Sequence, residues 1–252
     1  MNLRGQIAIF IVVAVVIVGF IVLLFAISNK TIELPFLNEF NPDSFLSECV
    51  RKSVKEKSDL MITRGGFVNP SNFKLYKDVK ASYLCEEINY YEPCVNQYPL
   101  YLTMIKEELK NNIEDDIKNC FVSLEEELIS RNYDVAGGDI NEIDVQFKPN
   151  AIEVVVYRDF SFSKNEVSRD FDSVKVSLES PLYGLANVAL AIVESEAKSC
   201  EFDYVEFADL HREYYIKRWS TADSTKIYTI HDKKFEHEMN IAIRGCAIPA
   251  GF

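Results

Sequence analysis

Positive charge is what this sequence lacks most: 27 Lys and Arg stand against 39 Asp and Glu, a formal charge of -12 over 252 residues. A duplex-binding protein needs a clustered basic footprint, so this balance argues against a nucleic-acid partner. Glycine and proline are sparse, at 9 and 8, which excludes collagen-like and low-complexity chains. Catalytic motifs are missing too. There is no G-x-S-x-G elbow, H-E-x-x-H pair, Walker loop or G-x-G-x-x-G. No C-x-x-C pair offers zinc the close ligands that structural sites use. Of the three histidines, His211, His231 and His237, the last two could supply metal ligands with Asp232 and Glu236, but they lie around a turn and a strand start and read as surface residues. The acidic run of Glu114, Asp115, Asp116, Glu125, Glu126 and Glu127 lacks EF-hand spacing and reads as a solvated helix face. The expectation is a non-enzymatic protein with no metal and no cofactor. An extracytoplasmic enzyme of unknown reaction is the distant alternative.

Apolar material is abundant. With 17 Phe and 13 Tyr the chain carries too much of it for a solvated tail. One uncharged run, Ile7–Ile27, would reach roughly 31 Å as a helix, about the hydrocarbon thickness of a bilayer. A single-pass membrane helix in contact with lipid is expected there. Arg4 precedes the run, and Lys30, Glu33, Glu39 and Asp43 follow it. The positive-inside rule then puts the N-terminus in the cytoplasm and residues 30–252 outside. The expected divisions are a leader and membrane helix at 1–28, a stalk at 29–43 and an extracytoplasmic domain at 44–252. Asn29-Lys30-Thr31 is a glycosylation sequon on the outer side.

All six cysteines lie beyond the apolar run: Cys49, Cys85, Cys94, Cys120, Cys200 and Cys246. An even number on the outer side suggests disulfides, whose connectivity the count alone leaves open. Periodicity narrows it. Cys49 falls on a stripe with Phe45, Leu46, Val50 and Val54, and Cys120 on one with Ile105, Leu109, Ile113, Ile117 and Leu124. Two packed helices would bring them together. Cys85 and Cys94 bracket a short turn-rich segment, Cys200 ends a helix, and Cys246 ends the last strand. The expected bridges are Cys49–Cys120, Cys85–Cys94 and Cys200–Cys246.

The outer region reads as α+β, helices packed on antiparallel strands without regular β-α-β alternation. Asn41-Pro42 opens a helix to about Met61, and Gly65-Gly66 turns the chain. Residues 67–98 read as short strands and loops, followed by a long amphipathic helix from about Leu100 to Arg131. Ile140–Phe147 and Ala151–Tyr157 alternate as a hairpin around Lys148-Pro149-Asn150. A second strand pair is expected near Asp159–Ser163 and Asp172–Leu178. Ser180-Pro181 opens a helix through about Cys200, and three strands follow at Tyr214–Ser220, Lys226–His231 and Glu238–Gly245.

Leu3-Arg4-Gly5-Gln6 before an apolar run resembles the leader of archaeal type IV pilins and archaellins. The resemblance implies cleavage between Gly5 and Gln6, so Arg4, Gly5 and Gln6 are the candidate processing residues. It also implies an alternative role as a pilin-like subunit assembled into a filament. Phe10 stands where bacterial pilins usually carry Glu. The remainder, with Cys49, Gly65-Gly66, Cys120 and Cys246, is similar to anchored surface proteins of small-genome archaea. That likeness implies a place at the cell surface and no reaction. Tyr90 and Tyr91, inside the Cys85–Cys94 segment, and Trp219 are the candidate binding surface, with Tyr214 and Tyr215 beside it. Aromatics of this kind hold sugars, peptides or partner proteins. The functional expectation is a surface protein with a structural or interaction role, with a protein partner or self-assembly.

Overall fold

The computed structural model describes residues 13–21, 40–164 and 167–249. The chain divides into two units, Met1–Asn41 and Pro42–Phe252. In the first, residues 13–21 are helical. The expected membrane-spanning helix is corrected here: among the described residues no helix is long and apolar enough to cross a membrane. The uncharged composition of Ile7–Ile27 suggests a span, and of that run the structure describes residues 13–21 alone. The rest of that run, together with Arg4, Gly5, Gln6 and Asn29, lies outside the described residues.

The second unit is α+β, with helices packed against two sheets. Helix α1 (Pro42–Thr63) begins on proline, whose fixed φ suits a first turn and whose missing N–H costs nothing there. Asp43 adds an acid to that first turn, where the helix dipole favours it. After α1 come β1 (Phe73–Tyr76), β2 (Val79–Glu86) and β3 (Val95–Asn96). Helix α2 (Tyr101–Ser130) follows, and its stripe of Ile105, Leu109, Ile113, Ile117, Cys120 and Leu124 is buried. Asn132, at φ 62°, ends it in a left-handed turn, with the Tyr133 N–H donating back to Leu128 O. Gly65 and Gly66 also take positive φ. A Cβ on Gly66 would stand 2.5 Å from the Tyr101 hydroxyl, so only glycine lets this turn close onto the start of α2.

One sheet is built on β6 (Ala151–Lys164), a single strand where the sequence suggested two. A register shift between Tyr157 and Phe160 explains the break in alternation. β5 (Glu142–Lys148) pairs with the first half of β6, β4 (Asp134–Gly137) with the second, and β7 (Val167–Glu179) runs along the whole strand. The other sheet has the order β1-β2-β10-β9-β8, with β3 on the end of β2. Here β8 is Tyr214–Ser220, β9 is Lys226–Asp232 and β10 is His237–Arg244. β10 runs antiparallel to β9 but parallel to β2, so the expected all-antiparallel arrangement does not hold in this sheet.

Helix α1 contacts both β7 and β10, and α3 (Leu182–Ser199) packs on β9, β10 and β2. The helices therefore share their buried faces with both sheets. One charged pair enters this core. Glu196 of α3 is wholly buried, where it accepts from the Tyr228 hydroxyl and from Lys226 Nζ at 2.7 Å. Burial and the neighbouring Glu196 push the Tyr228 phenol well above its ordinary range.

The six cysteines form three disulfides: Cys49–Cys120, Cys85–Cys94 and Cys200–Cys246. These are the partners that periodicity suggested. The first staples α1 to α2 with Cα atoms 5.8 Å apart, beside a Ser53–Asp116 hydrogen bond of 2.9 Å.

Two measurements test this framework. In the chain-entropy model, replacing Cys49 and Cys120 with Ser, which opens a 71-residue loop, lowers unfolding free energy by about 4 kcal/mol. The Cys85 and Cys94 pair, which closes only 9 residues, contributes about 2.7 kcal/mol. Denaturant titration without reductant should rank the two pairs in that order. The second concerns Asp223. Burial alone would raise its carboxyl, but the Lys74 ammonium at 2.5 Å and the Thr221 hydroxyl outweigh burial and hold it far below the usual range. Its contribution is present above the unfolded-state value, about 3.9, and fades as pH falls toward the folded value. Unfolding midpoints of wild type and Asp223→Asn should differ at neutral pH and converge in acid.

Candidate functional site

Two surface cavities offer chemistry, and they differ in how far their polar groups are already occupied. The larger, about 690 Å³, lies among α3, the start of β8, the end of β9 and helix α4 (Tyr204–Leu210). Helix α4 has no counterpart in the sequence reading. Its Asp203 accepts from the Val205 and Glu206 N–H groups, and an acid followed three residues later by Glu is the cue that could have revealed it. Tyr214 lines the cavity, and its hydroxyl would be 2.5 Å from a Cβ on Gly184, so that glycine makes room for the phenol. Burial, then Asp232 and Glu213, raise the Tyr214 phenol. The other polar groups are largely engaged. Asp232 Oδ1 accepts from the Lys234 and Phe235 N–H groups, and Asn187 Nδ2 donates to Tyr183 O at 2.7 Å. His211 stacks on Phe207 at 4.3 Å and stands 3.8 Å from Glu213. Among the described residues lining this cavity there is no Ser, Thr or Cys.

The smaller cavity, about 470 Å³, is formed by Glu87, Ile88, Asn89, Tyr90 and Arg244. It sits on the loop that Cys85–Cys94 closes. That loop is fastened to the end of β10 by backbone bonds. Glu87 N–H donates to Arg244 O at 2.7 Å, Tyr91 N–H to Ala247 O at 3.0 Å and Cys246 N–H to Glu92 O at 2.6 Å. Gly245 passes so close that a Cβ there would stand 2.9 Å from Cys94 N and 3.3 Å from its Sγ. Cys246 in turn is bonded to Cys200 at the end of α3. Two disulfides therefore hold one corner of the domain.

On this corner Ile88, Tyr90 and Tyr91 are 78%, 48% and 60% exposed. Tyr91 also has φ 65°, a left-handed conformation that costs a non-glycine residue about 1–2 kcal/mol. An exposed aromatic held in strain by its surroundings points to use rather than packing. Beneath it, Arg244 turns its Nε toward Glu87 Oε1 at 3.4 Å, and its guanidinium carbon lies 5.9 Å from the Tyr90 ring centre. Among the described residues its Nε is buried without a hydrogen-bond partner, while the side chain, 30% exposed, lines the cavity.

Tyr90 and Tyr91 thus stand together, with Arg244 joining them from a distant part of the chain. Trp219 does not. It is 61% exposed on β8, on the strand face shared with Tyr215 and Lys217, where the Lys217 ammonium lies 5.2 Å from the Tyr215 ring. No aromatic contact links Trp219 to Tyr90 or Tyr91 among the described residues. Of the histidines, His231 is half-buried between Glu236 and Glu238, at 3.5 and 3.7 Å, and His237 is 3.5 Å from Asp59. Among the described residues no group of three or more His, Cys, Asp or Glu could hold a metal ion. No family model, curated protein or solved structure matches the chain.

The strain at Tyr91 can be measured. Tyr91→Gly relieves the backbone, so its unfolding midpoint should equal or exceed that of wild type even though side-chain contacts are lost. Tyr91→Val, β-branched in the same conformation, should cost about 1 kcal/mol or more. A loss for glycine as large as for valine would mean that φ is not strained here.

Proposed function

We propose that residues 42–249 form an extracytoplasmic recognition domain of a surface protein, without enzymatic activity, whose contact site is the doubly clamped loop at Cys85–Cys94. The observation that carries this is the exposure of Ile88, Tyr90 and Tyr91 on a loop that the Cys85–Cys94 disulfide closes and that three backbone hydrogen bonds fasten to a segment itself tied by Cys200–Cys246. Ordering a mobile loop costs binding free energy, and a loop fixed in advance avoids that cost. Tyrosine supplies large contact area with few rotatable bonds, and truncating such anchors removes much of a typical affinity.

Compartment is argued from the same bonds. With no free cysteine among six, the chain suits an oxidising environment, since cytosolic thiols are ordinarily kept reduced. Neither the bonds nor the loop requires a spanning helix. The formal charge of -12 would discourage polyanionic partners and favour neutral or basic ones.

The test uses the full, non-reduced chain carrying a fluorescent label, applied to intact cells of its source. Wild type should bind saturably, and Tyr90→Ala combined with Tyr91→Ala should weaken binding by roughly tenfold or more with unchanged circular dichroism. Equal binding by the double variant, or no binding by wild type, sinks the proposal.

A further inference from the structure

We infer that the cavity beneath Tyr90 is a binding site for a neutral carbohydrate, a sugar ring lying against Tyr90 with its hydroxyls met by Arg244 and Asn89; this rests on the recognition role proposed for the loop. The charge of the site selects the ligand class. Arg244 is offset by Glu87, whose side chain is nearly buried and whose Oε2 accepts from the Ala247 N–H at 2.8 Å. Glu92 stands alongside, bound to Asn89 Nδ2 at 2.9 Å. The corner is thus neutral to acidic, and an anionic ligand would find no surplus positive charge.

Hydrogen bonding narrows the class further. Arg244 lines the cavity with its Nε 3.4 Å from Glu87 Oε1 and, among the described residues, buried without a hydrogen-bond partner; a guanidinium carries further N–H donors on its two Nη atoms. The Asn89 amide has its NH2 engaged by Glu92, which leaves its carbonyl oxygen to accept. Planar donors and acceptors side by side match adjacent hydroxyl groups, which both donate and accept. The Tyr90 ring supplies the flat apolar face against which the C–H side of a sugar ring packs. A purely apolar ligand would bury the Arg244 donors without partners, which disfavours it. A polyanion would face Glu87 and Glu92. A neutral polyol satisfies both demands.

The volume of about 470 Å³ lies within the range of small-ligand sites, roughly 300–1,000 Å³. The rigid corner also suits a ligand that offers little binding energy per contact, because little is lost to reorganisation. Ile88 and Tyr91 at the rim would extend the contact beyond a single ring.

The experiment applies the full chain, disulfides intact, to an array of immobilised neutral gluco-, manno-, galacto- and N-acetylglucosamine oligosaccharides beside sulfated and sialylated ones. The expected result is a signal on at least one neutral series, reduced roughly tenfold by Tyr90→Ala and by Arg244→Lys and unaffected by Trp219→Ala. Arg244→Lys retains the charge opposite Glu87 but loses the planar donor fork, so a loss there reports hydrogen-bond geometry rather than charge. The signal should also persist in about 0.5 M NaCl, since screening weakens only charge–charge attraction. Binding confined to sulfated or sialylated glycans overturns the inference. So does an absence of glycan binding while the Tyr90 and Tyr91 double variant still loses its hold on cells; that outcome leaves recognition standing and makes the partner a protein. If glycans do not bind and cell binding ignores both tyrosines, the recognition role falls as well.

Discussion

Strand β10 is the constraint on which the rest of the domain depends. It is central to its sheet, parallel to β2 on one side and antiparallel to β9 on the other. Its buried residues, Met239, Ile241 and Ile243 among them, give α1 and α3 a surface to pack on. Its last residue, Arg244, meets Glu87 twice, through its side chain at 3.4 Å and through its carbonyl, which accepts from the Glu87 N–H. Immediately beyond it, Gly245 lies against Cys94 and Cys246 is bonded to Cys200. Sheet, helix and recognition loop are therefore located by one short stretch of chain.

That arrangement has a kinetic side. β2 and β10 pair across most of the domain's sequence, and such non-local pairing must wait for loop closure that local contacts do not reward. β2 has the β1 hairpin beside it, and β8, β9 and β10 form a consecutive antiparallel set. Both can form locally, whereas the parallel seam between them cannot. The helical stripes and the Cys49–Cys120 staple, together with the Arg51–Ser177 bond at 3.2 Å, tie α1 to α2 and to β7 independently of that seam. The clamped corner needs β10, the loop and the end of α3 in place together.

Legibility in the sequence follows the same division between local and distant. The long helices were visible because apolar residues recur at helical spacing over many turns, and the same stripes placed Cys49 opposite Cys120. The β5–β6 hairpin was visible from alternation around Lys148-Pro149-Asn150. The continuity of β6 was hidden because a bulge interrupts alternation at Tyr157–Phe160. Helix α4 was hidden because seven residues are too few for periodicity, leaving only its Asp203 cap as a cue. The Ile7–Ile27 run is the opposite case: its apolar composition suggests a spanning helix, and among the described residues no helix is long and apolar enough to cross a membrane.

The candidate site divides in the same way. Tyr90 and Tyr91 could be singled out because closely spaced cysteines mark a closed loop, and a closed loop with bulky side chains has little core to hide them in. Arg244 could not, because nothing local to it announces a guanidinium placed at a cavity. Its meaning arises only when β10 brings it under a loop more than half the chain away. Its pairing with Glu87 is equally non-local, and that pairing is what makes the corner neutral rather than basic. The aromatic half of the site is thus written in the local sequence, while the polar half, which decides what kind of ligand the aromatics can hold, is written in the fold.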